Sequence, residues 1–138
     1  MTLRDQLLRD EGGHRLKGYQ DSEGRWTIGV GHCVETRPIS RRASDLIFED
    51  DVADTVAEVR RVLPWAEALG EVRFAVLVGM AYNIGTHGLL DKNPKMLAAC
   101  RAGDFALAAA EMLDGPWKDQ VGPRAHRLSE QMKTGTWI

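Results

Sequence analysis

The chain has 138 residues, of which 43% are hydrophobic and 28% are charged, and its formal net charge at pH 7 is −2. This length and composition predict a single globular domain, and the near-neutral charge argues against a nucleic-acid-binding protein. The sequence has no apolar run of about 18 residues, the length that a membrane-spanning helix needs, and its first residues lack the apolar segment of a signal peptide. We therefore expect a cytoplasmic protein that neither binds nucleic acid nor inserts stably into a membrane, and we expect it to be a monomer.

No cofactor or metal site is predicted. The two cysteines, Cys33 and Cys100, lie far apart, and neither they nor the four histidines follow a metal-ligand spacing. The sequence also lacks a P-loop, a G-x-G-x-x-G fingerprint, an H-E-x-x-H motif and a G-x-S-x-G elbow. One disulfide could join the two cysteines, but two free thiols in a reducing compartment are the favoured interpretation.

The first predicted element is a short N-terminal helix. Thr2 is a suitable N-cap, leucines follow at helical spacing, and Gly12-Gly13 ends the helix. This arrangement places Glu11 on the last turn, where the negative end of the helix dipole suits a carboxylic acid that must keep its proton. Position alone favours the simpler interpretation of a solvated surface glutamate.

A β-hairpin is predicted next. Residues 16–19 and 26–30 have the composition of strands and are joined by a turn over residues 21–24. Asp21 begins that turn, and Thr27 lies in the second strand. An aspartate that begins a turn usually hydrogen-bonds its own backbone, so the pattern alone does not assign a function to Asp21.

The rest of the chain predicts helices. Residues 41–63 form a long helix with an acidic exposed side, which is ended by Pro64 and can connect two lobes. Residues 71–84 are apolar nearly all round, which predicts a central buried helix, and Gly85 is a natural stop for it. Further helices are predicted over residues 65–69, 94–102, 104–113 and 123–134.

The predicted fold class is α+β and mostly helical, in a single domain over residues 1–138. A small α+β lobe with the β-hairpin takes up residues 12–40, and the long helix over residues 41–63 connects it to a larger helical lobe. The helical lobe consists of residues 64–138 together with the N-terminal helix over residues 2–11.

Glu11, Asp21 and Thr27 provide the groups that glycosidic bond hydrolysis requires. A carboxylic acid protonates the leaving oxygen, while a second carboxylate and a hydroxyl position and activate a water molecule. Two carboxylates ten positions apart are a weak signal when they stand alone.

Longer motifs strengthen this interpretation. Residues 10–32 contain three motifs in succession. The predicted helix ends in Asp-Glu-Gly, and it is followed by R-L-K-x-Y-x-D and then by E-G-x-x-T-I-G-x-G-H. Further motifs follow in order, at Phe48-Glu49-Asp50-Asp51-Val52, Tyr82-Asn83-Ile84-Gly85, Arg124-Ala125-His126-Arg127 and Thr134-Gly135-Thr136-Trp137. In these motifs the sequence resembles the phage-type lysozymes, the T-even endolysin family of glycoside hydrolases, over nearly its whole length.

The resemblance implies a lysozyme-like fold and a muramidase activity. The expected reaction is hydrolysis of the β-1,4 bond between N-acetylmuramic acid and N-acetylglucosamine in peptidoglycan glycan strands, with inversion of the anomeric centre. Glu11 is then the general acid, and Asp21 and Thr27 hold and activate the attacking water. The enzyme is expected to wait in the host bacterial cytoplasm until a separate membrane lesion admits it to the cell wall.

The same resemblance assigns residues around the site. Arg124 is expected near Glu11, where it tunes the charge of the acid, and His32 is expected to pair with Asp51 as a structural contact. Four further residues are expected to contact the glycan: Cys33, Tyr82, Asn93 and Glu111.

The sequence departs from the family pattern in two places. Nine residues separate Glu11 from Asp21, one more than in the family, and the extra residue falls within Gly12-Gly13-His14. Glycines can absorb such an insertion because they tolerate positive φ. The segment over residues 33–40 is shorter than in the large T-even enzymes, which trims the edge of the expected cleft.

Two other functions stay open. A lytic transglycosylase needs a single acid and closes the muramic acid 6-hydroxyl onto C1, but it typically lacks the aspartate and threonine that stand here at positions 21 and 27. A non-catalytic glycan-binding module could also have kept the fold.

Overall fold

Seven α-helices, one short 3-10 helix and a three-stranded antiparallel sheet make up the chain in the computed structural model, which describes residues 1–138. The α+β, mostly helical class predicted above is confirmed. In chain order the elements are α1 (Leu3–Asp10), β1 (Arg15–Gln20), β2 (Trp26–Gly29), β3 (His32–Cys33), α2 (Arg41–Val62), the 3-10 helix (Ala66–Leu69), α3 (Glu71–Lys92), α4 (Pro94–Ala102), α5 (Phe105–Asp114), α6 (Trp117–Val121) and α7 (Arg124–Thr134).

Two compact units divide the chain, Met1–Ile47 and Phe48–Ile138. Helix α2 begins in the first unit and ends in the second. The assignment of the helix over residues 2–11 to the helical lobe stays a prediction. None of the helices combines the length and the apolar character that a transmembrane helix requires.

Helix α1 begins and ends where its sequence predicts. The Thr2 hydroxyl accepts a hydrogen bond from the Asp5 N–H, and the Asp5 carboxylate accepts one from the Thr2 N–H, which together form a capping box. The helix closes at Glu11, whose N–H donates to the Leu7 carbonyl. Gly12 then adopts a positive φ of 80°, a conformation that glycine reaches without steric cost, so the chain leaves the helix at once.

The sheet has the order β1-β2-β3. The predicted hairpin is confirmed, with Tyr19 of β1 opposite Thr27 of β2. The second strand was expected to continue to residue 30, but it ends at Gly29, and the chain turns back to pair Ile28 with His32 of β3. Strand β3 was not predicted, because two residues are too few to show an alternating pattern.

Helix α2 matches the predicted long helix, and Ser40 stands directly before its first turn. The Ser40 hydroxyl accepts a hydrogen bond from the Ala43 N–H, which satisfies one of the free donors of the first turn. Along the helix Val59 is fully buried, while the acidic residues are exposed apart from the half-buried Glu58.

Helix α3 is the centre of the second unit. Val76, Leu77 and Met80 are almost completely buried, which confirms the predicted central helix. Gly85 was predicted to end it. The backbone does leave the helical conformation at Gly85, with φ at 77° and ψ at 158°, but helix resumes beyond this kink and continues to Lys92.

Helices α4, α5 and α7 pack together and complete the core of the second unit. Asp104 caps α5 by accepting a hydrogen bond from the Leu107 N–H, and the Ser129 hydroxyl of α7 donates to the Ala109 carbonyl of α5. The short helix α6 was not predicted. It buries Trp117 in the core although its five residues are too few to show helical periodicity.

Candidate active site

The peptide groups of Arg25 connect two of the three predicted catalytic residues. The Arg25 N–H donates to Asp21 Oδ1 at 2.9 Å. The Arg25 carbonyl accepts two hydrogen bonds, from the Asp21 N–H at 2.9 Å and from the Thr27 hydroxyl at 3.1 Å. Asp21 and Thr27 are therefore held at fixed positions relative to each other by the backbone that closes the hairpin.

The surroundings of Asp21 favour its ionised form. Oδ1 also accepts from the Glu23 N–H at 2.9 Å, and Oδ2 accepts from Arg25 Nε at 3.3 Å. The Arg25 N–H holds the pKa of the Asp21 carboxyl below its usual value, with smaller contributions from the Glu23 N–H and the Arg25 guanidinium. Asp21 is consequently a carboxylate at neutral pH, and the lone pairs left on its oxygens can accept hydrogen bonds from water.

Thr27 is the most deeply buried residue of the first unit, with 4% of its surface exposed. It lies in the middle strand of the sheet, opposite Tyr19 on one side and Cys33 on the other. Its only hydroxyl proton is donated to the Arg25 carbonyl, so the hydroxyl oxygen can only accept a hydrogen bond from any further partner. A buried hydroxyl that is fixed in this way can orient a water molecule.

Glu11 lies at the C-cap of α1, and its side chain reaches the turn between β2 and β3. A Cβ atom placed on Gly31 would lie only 2.7 Å from the Glu11 carboxyl carbon and 3.2 Å from its Cγ. The carboxyl group of Glu11 therefore occupies the space above Gly31, in a turn that directly follows the strand of Thr27. The first unit thus contains all three residues predicted to be catalytic.

Cys33 and His32 form β3 beside Thr27. Cys33 is the direct partner of Thr27 in the sheet, and its role as a glycan contact stays a prediction. The thiol is free and half-buried, and the Thr36 hydroxyl lowers the pKa of the Cys33 thiol. The pairing of His32 with Asp51 stays a prediction.

Two predicted residues share a groove in the second unit. Tyr82 and Arg124 both line a groove of about 520 Å³, in which the rings of Phe48 and Tyr82 meet edge to face with their centroids 6.1 Å apart. Tyr82 is 45% exposed, so part of its ring is free to contact a ligand. The proximity of Arg124 to Glu11 stays a prediction.

Asn93 and Glu111, the two remaining predicted glycan contacts, line a second cavity of the same unit. This cavity has a volume of about 200 Å³ and is also lined by Lys92 and Lys95. Asn93 stands between α3 and α4, where its amide nitrogen donates weakly to the Gly88 carbonyl at 3.5 Å. The structure therefore brings together two residues that are 18 positions apart in sequence. No group of three or more His, Cys, Asp or Glu side chains in the chain is placed to hold a metal ion.

A family comparison covers the residues of the candidate site. The phage lysozyme family model matches residues 9–132, which is most of the chain and includes every residue of the candidate site. The chain belongs to the phage lysozyme family. The mostly helical chain with a small three-stranded antiparallel sheet is consistent with the lysozyme-like α+β fold class that the sequence predicted.

Individual relatives of this lysozyme family member have very different lengths. A probable T4-type lysozyme of Dictyostelium discoideum is 28% identical, and the match covers 98% of this chain and 95% of that protein. The pre-baseplate central spike protein Gp5 of Enterobacteria phage T4 is 31% identical over 98% of this chain, but this chain spans only 28% of the spike protein. The endolysin of Salmonella phage P22 is 34% identical over 56% of this chain and 58% of its own length.

The structure adds two residues that were not predicted to the candidate site of this phage lysozyme family member. Arg25 joins Asp21 to Thr27 through its backbone, and Gly31 lies against Glu11. The aspartate at the start of the turn is a signal that could have suggested the first contact, because such a side chain usually bonds to backbone groups of its own turn. The second contact had no local signal, since it joins residues 20 positions apart.

Proposed function

We propose that this protein is a muramidase that hydrolyses the β-1,4 bond between N-acetylmuramic acid and N-acetylglucosamine in bacterial peptidoglycan. The observation that carries the proposal is the joining of Asp21 and Thr27 through the Arg25 peptide groups. A carboxylate and a hydroxyl oxygen held in this way can bind one water molecule between them. Membership of the phage lysozyme family supports the same substrate class.

Each side chain has a distinct role in the proposed reaction. Glu11 donates its proton to the leaving glycosidic oxygen as the C–O bond breaks. Asp21, which is ionised, accepts a proton from the water as the water oxygen bonds to the anomeric carbon. Thr27 accepts a hydrogen bond from the same water, because its own proton is already donated to the Arg25 carbonyl. Since water and not a side chain attacks the sugar, the anomeric configuration of the product inverts.

The role of Glu11 is tested by the substitution Glu11→Gln, which keeps the size of the side chain and removes its acidic proton. We expect the variant to release reducing ends from purified peptidoglycan at no more than a small residual rate, while still sedimenting with it. Glu130→Gln is the matched control, because Glu130 is an exposed glutamate of the second unit, on α7. A Glu11→Gln variant with the activity of this control would refute the assignment of the general acid.

The chemistry of the products separates the proposal from its alternatives. Mass spectrometry of the released muropeptides should show reducing muramic acid ends, whereas anhydromuramic ends would identify a lytic transglycosylase. Proton NMR during the first minutes of hydrolysis should show the α-anomer first, because inversion of a β-linked bond produces it. An initial β-anomer would exclude inversion. A wild-type protein that binds peptidoglycan but releases nothing would be a binding module.

The proposal extends to the cellular role. We place the protein in the host bacterial cytoplasm before lysis, as a monomer that reaches the cell wall only after a separate lesion opens the membrane. Gram-negative cells that express it should then stay intact until chloroform permeabilises the inner membrane, and should lyse afterwards. Cells that lyse without permeabilisation would contradict this order of events, and a dimeric mass in sedimentation equilibrium would contradict the monomer.

A further inference from the structure

Two glycines with a positive φ lie close together here, Gly29 at the end of β2 and Gly31 in the turn between β2 and β3. Gly29 has a φ of 68° and Gly31 a φ of 62°, and both values lie in the left-handed region that other residues adopt only at a cost. Backbone conformation therefore explains the choice of glycine equally well at both positions. It does not distinguish them.

The surroundings of the two glycines do distinguish them. A Cβ atom on Gly29 would meet nothing within 4 Å, whereas one on Gly31 would overlap the carboxyl group of Glu11. Glycine at position 31 thus has a second reason besides the backbone of the turn, which is the space that the Glu11 carboxyl group occupies. We infer that Gly31 is a positioning residue, whose missing side chain leaves the space that holds the Glu11 carboxyl for proton donation. This inference rests on the proposed function, in which Glu11 is the general acid.

A methyl group at position 31 would displace Glu11 and leave the sheet in place. The backbone of the turn is fixed on both sides by the pairing of Ile28 with His32, while Glu11 has an exposed and flexible side chain. To reach an ordinary contact of 3.4 Å, the Glu11 carboxyl carbon would have to move by about 0.7 Å from its 2.7 Å position. A misplacement on this scale is enough to lower the rate of an enzymatic reaction by about 100-fold.

The test compares Gly31→Ala with Gly29→Ala. Both variants place alanine at nearly the same positive φ, so we expect similar decreases in Tm. We expect kcat for peptidoglycan hydrolysis to fall about 100-fold further in Gly31→Ala than in Gly29→Ala, with little change in KM. Equal losses of kcat in the two variants would overturn the inference, because Gly31 would then serve the turn alone.

A double-mutant cycle shows whether Gly31 acts through Glu11. In a Glu11→Gln background the further substitution Gly31→Ala should change the residual kcat by less than about twofold, since the group that Gly31 positions is already inactive. A full additional loss in that background would overturn the inference.

The contact itself can be measured without any assay of activity. In the wild-type protein we expect a nuclear Overhauser effect between the Gly31 Hα and Glu11 Hγ protons, and its loss or weakening in Gly31→Ala but not in Gly29→Ala. Its absence in the wild type would overturn the inference. A wild-type protein that fails to hydrolyse peptidoglycan would refute the proposed function instead, and the NMR measurement would still decide whether Gly31 sets the position of Glu11.

Discussion

Arg73 is expected to be the arginine with the largest contribution to stability. Its Nε donates to the Met132 carbonyl at 2.8 Å and its Nη2 to the Lys133 carbonyl at 3.2 Å, while the guanidinium lies 3.6 Å from the centre of the Phe105 ring. The two carbonyls belong to the last turn of α7. Carbonyl groups in the last turn of a helix have no N–H partner within the helix. Arg73 therefore joins the start of α3 to the end of α7.

Substitution of Arg73 by methionine keeps most of the apolar stem and removes all three contacts. A hydrogen bond to a charged group contributes about 1.5–3 kcal/mol and a cation–π contact about 0.5–1 kcal/mol at partly exposed sites. Because Arg73 is only half-buried, water recovers part of these contributions, and we expect a net loss of about 2–4 kcal/mol in the free energy of unfolding. Urea denaturation measures the loss as a lower midpoint at unchanged slope.

The control is Arg61→Met. Arg61 forms an exposed pair with Glu58 at 3.0 Å, and 70% of its side-chain surface is accessible, so we expect a change below about 1 kcal/mol. Amide hydrogen exchange should also become faster at the end of α7 in Arg73→Met alone. If Arg73→Met destabilised the protein no more than Arg61→Met does, the assignment of Arg73 as a cap of α7 would be refuted.

Three further predictions concern the first unit and the thiols. Thr27→Val should lower peptidoglycan hydrolysis by about 100-fold while Thr27→Ser keeps most of it, and a Thr27→Val variant with full turbidity-reducing activity would show that the hydroxyl is not needed. Because its hydrogen bonds lower the pKa of Asp21, ionised Asp21 stabilises the fold fully above its unfolded value of 3.8, and this contribution is lost as the pH falls through the lower folded value. The stability difference between wild type and Asp21→Asn in urea should therefore shrink on acidification, and a difference independent of pH would contradict this origin. Iodoacetamide should label Cys33 before Cys100 in peptide mass spectrometry, since burial raises the pKa of the Cys100 thiol to about 11 while the Thr36 hydroxyl lowers that of Cys33. Equal labelling rates of Cys33 and Cys100 would contradict this prediction.

Elements that depend on local signals were predictable from the sequence. The capping box of Thr2 and Asp5, the first-turn proline at Pro94 and the cap at Asp104 each act within one helical turn, and the helices they begin lie where expected. The same holds for the hairpin turn at Asp21, whose carboxylate bonds to N–H groups only two and four residues away.

Elements that depend on distant contacts were not predictable. Strand β3 exists because His32 pairs with Ile28, and no pattern within two residues can indicate such a pairing. The backbone leaves the helical conformation at Gly85, as this residue type predicts, but the helix that resumes beyond the kink packs Leu89 in the core and was not predicted. In the candidate site, the residue types of Glu11 and Asp21 suggested their chemistry, but the contact of Glu11 with Gly31 needed the three-dimensional structure.

The bonds through Arg25 determine where this family member can change in length. Asp21 Oδ1 must reach the N–H groups of both Glu23 and Arg25, so the turn tolerates exchange of the exposed Ser22 side chain but no insertion or deletion. The chain after Glu11 behaves differently, because Gly12 and Gly13 both adopt positive φ and a Cβ atom on either would meet nothing within 4 Å. Natural variation in the number of residues between the two carboxylates should therefore accumulate beside the helix and spare the hairpin. The extra residue that the family resemblance implies, within Gly12-Gly13-His14, would lie on that side.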